Sequence, residues 1–147
     1  MDNQDTFLKK ILETFSKKEL DPKSYSSLAL AYIGDGVYDL IIRTVIVEQG
    51  NNKVNLMHKQ TSAVVKAETQ ARQMRLLEKY LTEEELKVYK RGRNAKSPTS
   101  AKNASIVDYR IATGFEALLG YLYLDNQTDR LLELVKLGWD LMEEEKN

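Results

Sequence analysis

The chain has 147 residues, a formal net charge of zero and no cysteine. This length predicts one domain with a sizeable core, and the lack of cysteine excludes disulfide and thiolate chemistry. Because His58 is the single histidine, a zinc site of the cysteine–histidine kind is excluded as well. Any bound metal would take carboxylate and water ligands, which suits Mg²⁺ or Mn²⁺.

The predicted elements of the N-terminal half are helices. Residues 1–20 form an amphipathic helix in this interpretation, with Asp5 as its N-cap, and Pro22 ends it or begins the next one. A long helix follows from about Ser24 to Gln49 and ends at Gly50. Its segment LIIRTVIV is rich in β-branched residues and is compatible with a strand, but the length of the pattern favours a helix. We expect no membrane span here, since charged residues interrupt the apolar run.

Further helices are predicted through the C-terminal half. Asn55 is expected to cap a helix that runs to about Leu81. The next segment, Thr82–Glu85, has the pattern of a capping box and begins a short helix that ends near residue 92. The irregular segment RGRNAKSPTSAKN, residues 91–103, is typical of a loop. A helix over 105–124, a turn at 125–126 and a last amphipathic helix complete the chain. With no strand pattern, the sequence predicts an all-α fold of six or seven helices.

Charge is segregated along the sequence. Residues 86–107 contain six Lys or Arg residues and no acid, whereas the C-terminal segment is acidic. A local basic segment can bind a polyanion although the whole molecule is neutral. The N-terminal residues lack the apolar core and cleavage site of a signal peptide, which favours a cytoplasmic location.

One carboxylate lies in an unusual setting. Asp35 stands between Gly34 and Gly36 inside the apolar stretch AYIGDGVYDL. A charge on a packed face is costly unless it is paired or binds a metal, and each glycine costs roughly 1 kcal/mol in a helix relative to alanine. Two broken local rules at one place indicate a functional site.

A second carboxylate, Glu116, lies on the stripe that contains apolar residues of the helix over 105–124. Two carboxylates on core-facing stripes of two helices can converge, and a divalent cation would relieve their repulsion. The alternative is that both lie at the surface or form salt bridges with Arg43, Arg72 or Arg110.

These residues carry a resemblance. The segment LALAYIGDGVYD resembles the signature helix of the ribonuclease III family, and TGFEALLGYLYLD resembles the second acidic helix of that family. Together with RGRNAKSPTSAKN and VNLMHKQTSAVVKAETQA, the match is closest to the short bacterial branch, Mini-ribonuclease III, and covers roughly residues 25–135.

The resemblance implies the all-α ribonuclease III domain, a homodimer, and Mg²⁺-dependent cleavage of double-stranded RNA to products with 5′-phosphates. The catalytic and metal-binding carboxylates of the family fall on Asp35 and Glu116. Two further acids of longer relatives are replaced by Ala31 and Thr113, which leaves fewer ligands for the metal and more water around it. The resemblance also implies maturation of precursor 23S ribosomal RNA as the task, with an assembling ribosome or ribosomal protein as a possible partner.

We expect residues 1–147 to be a single catalytic domain without the double-stranded-RNA-binding domain of longer relatives. RNA contacts would then fall on the basic segment and on the matching stretch around His58. The candidates for RNA binding are Arg91, Arg93, Asn94, Lys96, Lys102, His58 and Lys59. A solvated basic loop is the alternative for residues 91–103, and a structural role is the alternative for His58.

The sequence predicts structural roles for the glycines beside Asp35 and for most aromatic residues. Gly34 and Gly36 would allow close helix approach near a dimer seam. Trp139 and the tyrosines at helical spacings are expected in the core or at an interface: Tyr25, Tyr32, Tyr38, Tyr109, Tyr121 and Tyr123.

Two rival functions fit the same sequence. One is a non-catalytic module that binds structured RNA or a pre-ribosome, which the replacements at Ala31 and Thr113 favour. The other is a purely structural helical dimer, which leaves Asp35 between two glycines unexplained.

Overall fold

Seven α-helices build the described part of the chain, which comprises residues 6–96 and 105–146 of a computed structural model. Two short 3₁₀ helices, Pro22–Ser24 and Glu78–Tyr80, connect them. These residues contain no strand, so the all-α prediction is confirmed. The helices are α1 (Phe7–Thr14), α2 (Ser27–Val47), α3 (Val54–Val65), α4 (Ala67–Leu77), α5 (Glu83–Asn94), α6 (Ile106–Leu124) and α7 (Thr128–Glu145). None of the helices in these two ranges is long and apolar enough to span a membrane.

Helix α6 is the centre of the fold. Helices α2, α4 and α5 pack directly around it, α7 lies against α4 and α6, and α3 lies on α2. Ten residues of α6 are buried, as expected for a helix that is apolar on nearly every side. At the core, the ring of Tyr38 on α2 meets the ring of Phe115 edge-on, with centroids 5.4 Å apart.

Glycines set the distance between α2 and α6. A Cβ atom added at Gly34 would overlap the backbone carbonyl of Glu116, and one added at Gly120 would overlap the carbonyl of Leu30. The two backbones are therefore in direct contact, which only glycine permits at these positions. The expectation of close approach at Gly34 holds within this chain, whereas Gly36 has no neighbour within 4 Å that its Cβ would meet.

A second glycine contact joins α5 to α6. A Cβ atom at Gly92 would lie 2.7 Å from Ala117 Cβ, and one at Gly114 would lie 2.7 Å from the carbonyl oxygen of Tyr89. The C-terminal turn of α5 is thereby held against the middle of α6.

The N-terminal end of α5 is fixed by charge. Thr82 and Glu85 form the predicted capping box, with both reciprocal hydrogen bonds present. The Glu85 carboxylate also accepts bonds from Nε and Nη2 of Arg130 on α7, each 2.8 Å long. These charge-assisted bonds lower the pKa of the Glu85 carboxyl and link α5 to α7.

Several predicted boundaries were wrong. The N-cap of α1 is Thr6 rather than Asp5, which lies outside the described residues. The single helix predicted between residues 55 and 81 is two helices, because the backbone of Lys66 is extended (φ −68°, ψ 152°), and its first helix is preceded by Lys53 rather than capped by Asn55.

The basic segment also begins differently from the prediction. Helix α5 continues to Asn94, so residues 91–94 are helical and not the start of a loop. The glycine contact at Gly92 explains this, because packing against α6 stabilises a turn whose own sequence favours a loop.

Candidate active site

Asp35 and Glu116 are neighbours in the fold. The side chain of Asp35 is exposed, and that of Glu116 is half-buried. Asp35 follows Gly34 directly, and Gly34 lies against the backbone of Glu116, so the glycine contact brings the two carboxyl groups within hydrogen-bonding reach of each other. The structure thus places together the two carboxylates that periodicity had put on separate stripes.

The pair shows the electrostatics of two like charges in one place. The pKa of Glu116 is raised from 4.5 to about 8, first by burial and then by the charge and hydrogen bond of Asp35. A hydrogen bond from the Gln70 amide acts in the opposite direction and favours the ionised carboxylate. The fold therefore holds Glu116 where ionisation is costly without a positive charge nearby.

The chemistry of the donor set fits a hard divalent cation. Both side chains offer oxygen atoms only, and a cation between them would offset the repulsion that raises the pKa of Glu116. Within residues 6–96 and 105–146, no group of three or more His, Asp or Glu side chains is gathered for a metal. A cation held by this pair would keep several water ligands, which Mg²⁺ accepts.

Ala31 and Thr113 occupy the two positions at which the resemblance implies further acids in longer relatives. Ala31 is buried one turn before Asp35. The hydroxyl of Thr113 donates to the backbone carbonyl of Tyr109 at 2.9 Å, within its own helix. Thr113 therefore uses its only donor locally.

The alternative of simple salt bridges is wrong for the residues that it named. Arg43 pairs with Asp39 at 2.6 Å, and Arg72 pairs with Glu145 at 3.2 Å. In the described part of the chain, neither Asp35 nor Glu116 forms an ion pair with a Lys or Arg residue.

The basic residues of the predicted loop occupy the end of α5. Arg91 is exposed, whereas Arg93 lies over the ring of Tyr89, 5.6 Å from its centroid. The Nε atom of Arg93 donates to Asn94 at 3.3 Å. Lys96 is exposed just beyond the helix, and Lys102 and Ser97 lie outside the described residues.

This basic turn lies beside the turn of α6 that carries Glu116. Gly92 contacts Ala117, Gly114 and Thr113, which surround Glu116 in sequence. One turn of α6 is thus in contact with the acidic segment of α2 on one side and with the basic end of α5 on another.

His58 and Lys59 are not part of this cluster. Both are exposed on α3. His58 borders a cavity of about 160 Å³ with Arg43 and Ile46 of α2. Ile46 is eleven residues beyond Asp35, which is about 16 Å along a helix. Catalysis by His58 at the acidic pair is therefore not favoured by its position.

The aromatic residues are distributed as expected, with one informative member. Tyr38 and Tyr121 are buried, and Tyr25, Tyr109 and Tyr123 are half-buried. Trp139 packs against the core, and its Nε1 donates to the hydroxyl of Tyr38 at 3.4 Å. Tyr32 instead is 84% exposed on the outer face of α2.

Sequence reasoning missed Gln70, which is 1% exposed and faces Glu116. The available signal was a polar residue next to the apolar stripe of α4, which includes Ala71, Met74 and Leu77. The burial of Gln70 could not be inferred from this pattern, because the helix break at Lys66, which sets the orientation of α4, was not predicted.

The fold is an all-α domain with two carboxylates in contact, and comparison with known proteins identifies its class as the ribonuclease III nucleases. Residues 28–127 match the ribonuclease III domain. A Mini-ribonuclease 3 of Clostridium tetani is 55% identical over 133 residues, which cover 90% of this chain and 87% of that relative. A Mini-ribonuclease 3 of Brevibacillus brevis is 47% identical, with 88% and 98% covered.

A solved structure shows the same architecture. The crystal structure of a protein from Fusobacterium nucleatum matches with a TM-score of 0.74 and 28% identity, over 85% of this chain and 98% of that one. The chain therefore belongs to the ribonuclease III family, in its Mini-ribonuclease 3 branch, and is an endoribonuclease. Enzymes of the ribonuclease III type act on double-stranded RNA, and nucleases of this family generally use a divalent metal.

Proposed function

We propose that this chain is a Mg²⁺-dependent, homodimeric endoribonuclease for double-stranded RNA, with Asp35 and Glu116 as its metal-binding, catalytic carboxylates. The observation that carries the proposal is the proximity of these two acids at the glycine contact between α2 and α6. Mg²⁺ held there would supply an activated water and charge stabilisation at the phosphate, and Mn²⁺ is a possible substitute.

The other steps of the proposed function, access of the phosphodiester and binding of the RNA, fall to different side chains. Asp35 faces solvent, where a phosphodiester can approach, and Glu116 is set deeper beside it. The exposed Arg91 and Lys96, together with Arg93, Asn94 and Lys102, would contact phosphates and 2′-hydroxyls. His58 and Lys59 would contact a more distant part of the duplex, since they lie on α3.

An exposed apolar strip on α2 supports the homodimer. Tyr32 and Leu40 are 84% and 55% exposed, and Gly36 lies between them at four-residue spacing. This strip runs beside Asp35, so a second copy packed on it would set two acidic pairs near one two-fold axis. Two such sites suit the two antiparallel strands of an RNA duplex.

We propose precursor 23S ribosomal RNA as the biological substrate, presented by an assembling ribosome or a ribosomal protein. This rests on the likeness to the Mini-ribonuclease 3 branch. A stem from the precursor should be cut at a defined position, whereas an unrelated duplex of equal length should be cut less or elsewhere. Equal cutting of both would leave the enzyme general for duplex RNA.

The test of the catalytic site is cleavage of a duplex RNA with and without Mg²⁺. Asp35→Ala should lower the cleavage rate about a thousandfold or more while the variant still binds RNA in EDTA. Asp39→Ala is the matched control, because Asp39 lies one turn further on α2 and pairs with Arg43. Binding without metal-dependent cutting by the wild type would support the rival RNA-binding module.

The test of the dimer is sedimentation of the wild type and of Tyr32→Asp. The charge on the apolar strip should shift the protein to monomer. Phe7→Asp is the control, since Phe7 is 67% exposed on α1, a different helix from the one that carries the strip. A wild-type monomer at micromolar concentration would refute the homodimer.

A further inference from the structure

Two buried glutamines on α4 differ in one respect. Gln70 and Gln73 are each 1% exposed and lie one turn apart. The Oε1 atom of Gln73 accepts a 2.7 Å hydrogen bond from the hydroxyl of Tyr38. The Oε1 atom of Gln70 is also buried but has no hydrogen-bond donor among the described residues. Leaving a buried oxygen without a hydrogen bond is unfavourable, so it requires a reason.

The orientation of the Gln70 amide is fixed by the helix break. The extended backbone at Lys66 ends α3 and leaves the carbonyl of Val65 without a helical partner. Nε2 of Gln70 donates to that carbonyl at 2.8 Å. The side chain is therefore held at the junction of α3 and α4 and does not exchange freely between rotamers.

The same amide group faces the acidic pair. Helix α4, which carries Gln70, packs against α6, which carries Glu116, and the Gln70 amide lies close enough to the Glu116 carboxyl to favour its ionised form. Gln70 is thus a neutral, buried group beside Glu116: one N–H of its amide donates to Val65, the second N–H is left for Glu116, and its oxygen is unused.

We propose that Gln70 is a positioning residue of the acidic pair: its amide holds the Glu116 carboxylate beside Asp35, and its unused oxygen accepts a hydrogen bond from a water of the hydrated cation. The inference rests on the proposed function, because it takes Asp35 and Glu116 as the cation-binding pair. Residues that hydrogen-bond to metal ligands orient those ligands. Their removal typically weakens metal binding by roughly 10–100-fold.

This role is consistent with the small number of carboxylates. A cation held by two acids keeps several waters, and those waters need acceptors for their hydrogens. Ala31 offers none, and the Thr113 hydroxyl, which donates its hydrogen to the Tyr109 carbonyl, keeps its oxygen as a neutral acceptor. Gln70 supplies a neutral oxygen at this place without adding a third negative charge to a pair that already repels.

The experiment compares Gln70→Met with the matched control Gln73→Met in the full chain without RNA. Methionine keeps the length and burial of glutamine but removes donor and acceptor. Mn²⁺ affinity is measured by electron paramagnetic resonance titration. Gln70→Met should weaken Mn²⁺ binding by about tenfold or more, whereas Gln73→Met should lose stability and keep its Mn²⁺ affinity. Equal Mn²⁺ affinities in the two variants would overturn the role of Gln70.

Steady-state cleavage provides a second measurement. Gln70→Met should lower kcat for duplex RNA and leave KM close to the wild-type value, because the glutamine does not contact RNA. A rise in KM with an unchanged kcat would contradict a role in positioning Glu116.

A second variant covers the case in which Gln70→Met does not fold. Gln70→Glu keeps the shape and an acceptor oxygen, loses the amide donor to Val65 and Glu116, and adds a charge beside the cation. Its metal-free Tm should fall, and the rise in Tm that Mn²⁺ produces should exceed that of the wild type. An unchanged or smaller rise would overturn the proposal.

Asp35→Ala separates the two levels of the hypothesis. If this variant binds Mn²⁺ as well as the wild type does, the acidic pair is not the metal site and the proposed function fails. If Asp35→Ala loses Mn²⁺ binding while both Gln70 variants behave as the wild type does, only the role of Gln70 is refuted.

Discussion

Helix α6 has two glycine contacts, one with α2 and one with α5, and they bring different side chains to it. At the α2 contact, Gly34 and Gly120 let two backbones touch and bring Asp35 beside Glu116. At the α5 contact, Gly92 and Gly114 bring a basic helix end beside the same turn of α6.

The two contacts differ in how firmly they hold functional side chains. The acidic pair is close enough for one carboxyl to raise the pKa of the other, and Glu116 is half-buried. The basic side chains are exposed or, for Arg93, rest on Tyr89. Metal coordination needs fixed oxygens, whereas phosphate binding by charge tolerates mobile side chains. The firmly held acidic pair and the exposed basic side chains therefore suit the metal site and the RNA contacts of the proposed function.

The largest effect is expected at the α2 contact. Gly34→Ala places a Cβ atom on the Glu116 carbonyl, which is backbone and has no room to yield, so unfolding free energy should fall by about 3 kcal/mol or more. Gly36→Ala is the control, since its Cβ meets nothing of the same chain within 4 Å, and it should be neutral or stabilising by up to about 1 kcal/mol. Both variants are compared in the Tyr32→Asp background, which removes the proposed dimer contact at Gly36. Equal losses in urea unfolding would show that the contact at Gly34 is not tight.

The next effect concerns pH. The pKa of Glu116 is about 8 in the fold and ordinarily 4.5, so the unfolded chain releases this proton first. Metal-free stability should be highest below about pH 4.5 with respect to this group, and should fall as pH rises to about 8. Thermal unfolding should show this fall in Tm, and Glu116→Gln should remove this contribution.

Metal should reverse that pH dependence. Because a bound cation requires ionised Glu116, Mg²⁺ should raise Tm more at pH 8 than at pH 6. A pH-independent effect of Mg²⁺ would argue against Glu116 as a ligand.

A smaller effect is expected at the α5 contact. The Cβ atom of Gly92→Ala would meet a methyl group at 2.7 Å and Gly114 at 3.0 Å, so α5 must shift slightly. We expect a loss of about 1–3 kcal/mol in urea unfolding. Weaker RNA binding should accompany it with Mn²⁺ affinity unchanged. A loss of metal binding instead would mean that the two contacts are not independent.

The smallest effects belong to the single basic side chains. Arg91→Ala and Arg93→Ala should each reduce the slope of log affinity against log salt by roughly one, through lost phosphate contacts. Lys17→Ala is the control, as Lys17 is exposed and far in sequence from α5. Unchanged slopes in filter binding would remove the end of α5 from the RNA site.

Much of this fold was predictable because its signals are local. The apolar periodicities of α2, α6 and α7 and the capping box at Thr82 depend on residues within a few turns of each other. The break at Lys66 and the helical state of residues 91–94 were not predictable in this way. Both depend on contacts between helices, and at Gly92 the contact overrides a sequence that favours a loop.

The candidate site also has features that follow from local sequence and features that depend on contacts between helices. The sequence alone identified Asp35 and Glu116, because a carboxylate on an apolar stripe breaks a local rule. It also indicated the nuclease class through the resemblance of two helices to a known family.

Only the tertiary structure decided which groups meet. In the fold, Gly34 lies against the backbone of Glu116, and Gln70 lies beside the acidic pair. Arg43 and Arg72 form ion pairs with other acids. The physical reason is that helical periodicity determines the direction of a side chain around its own axis, whereas the distance between axes is set by the small residues at their crossing.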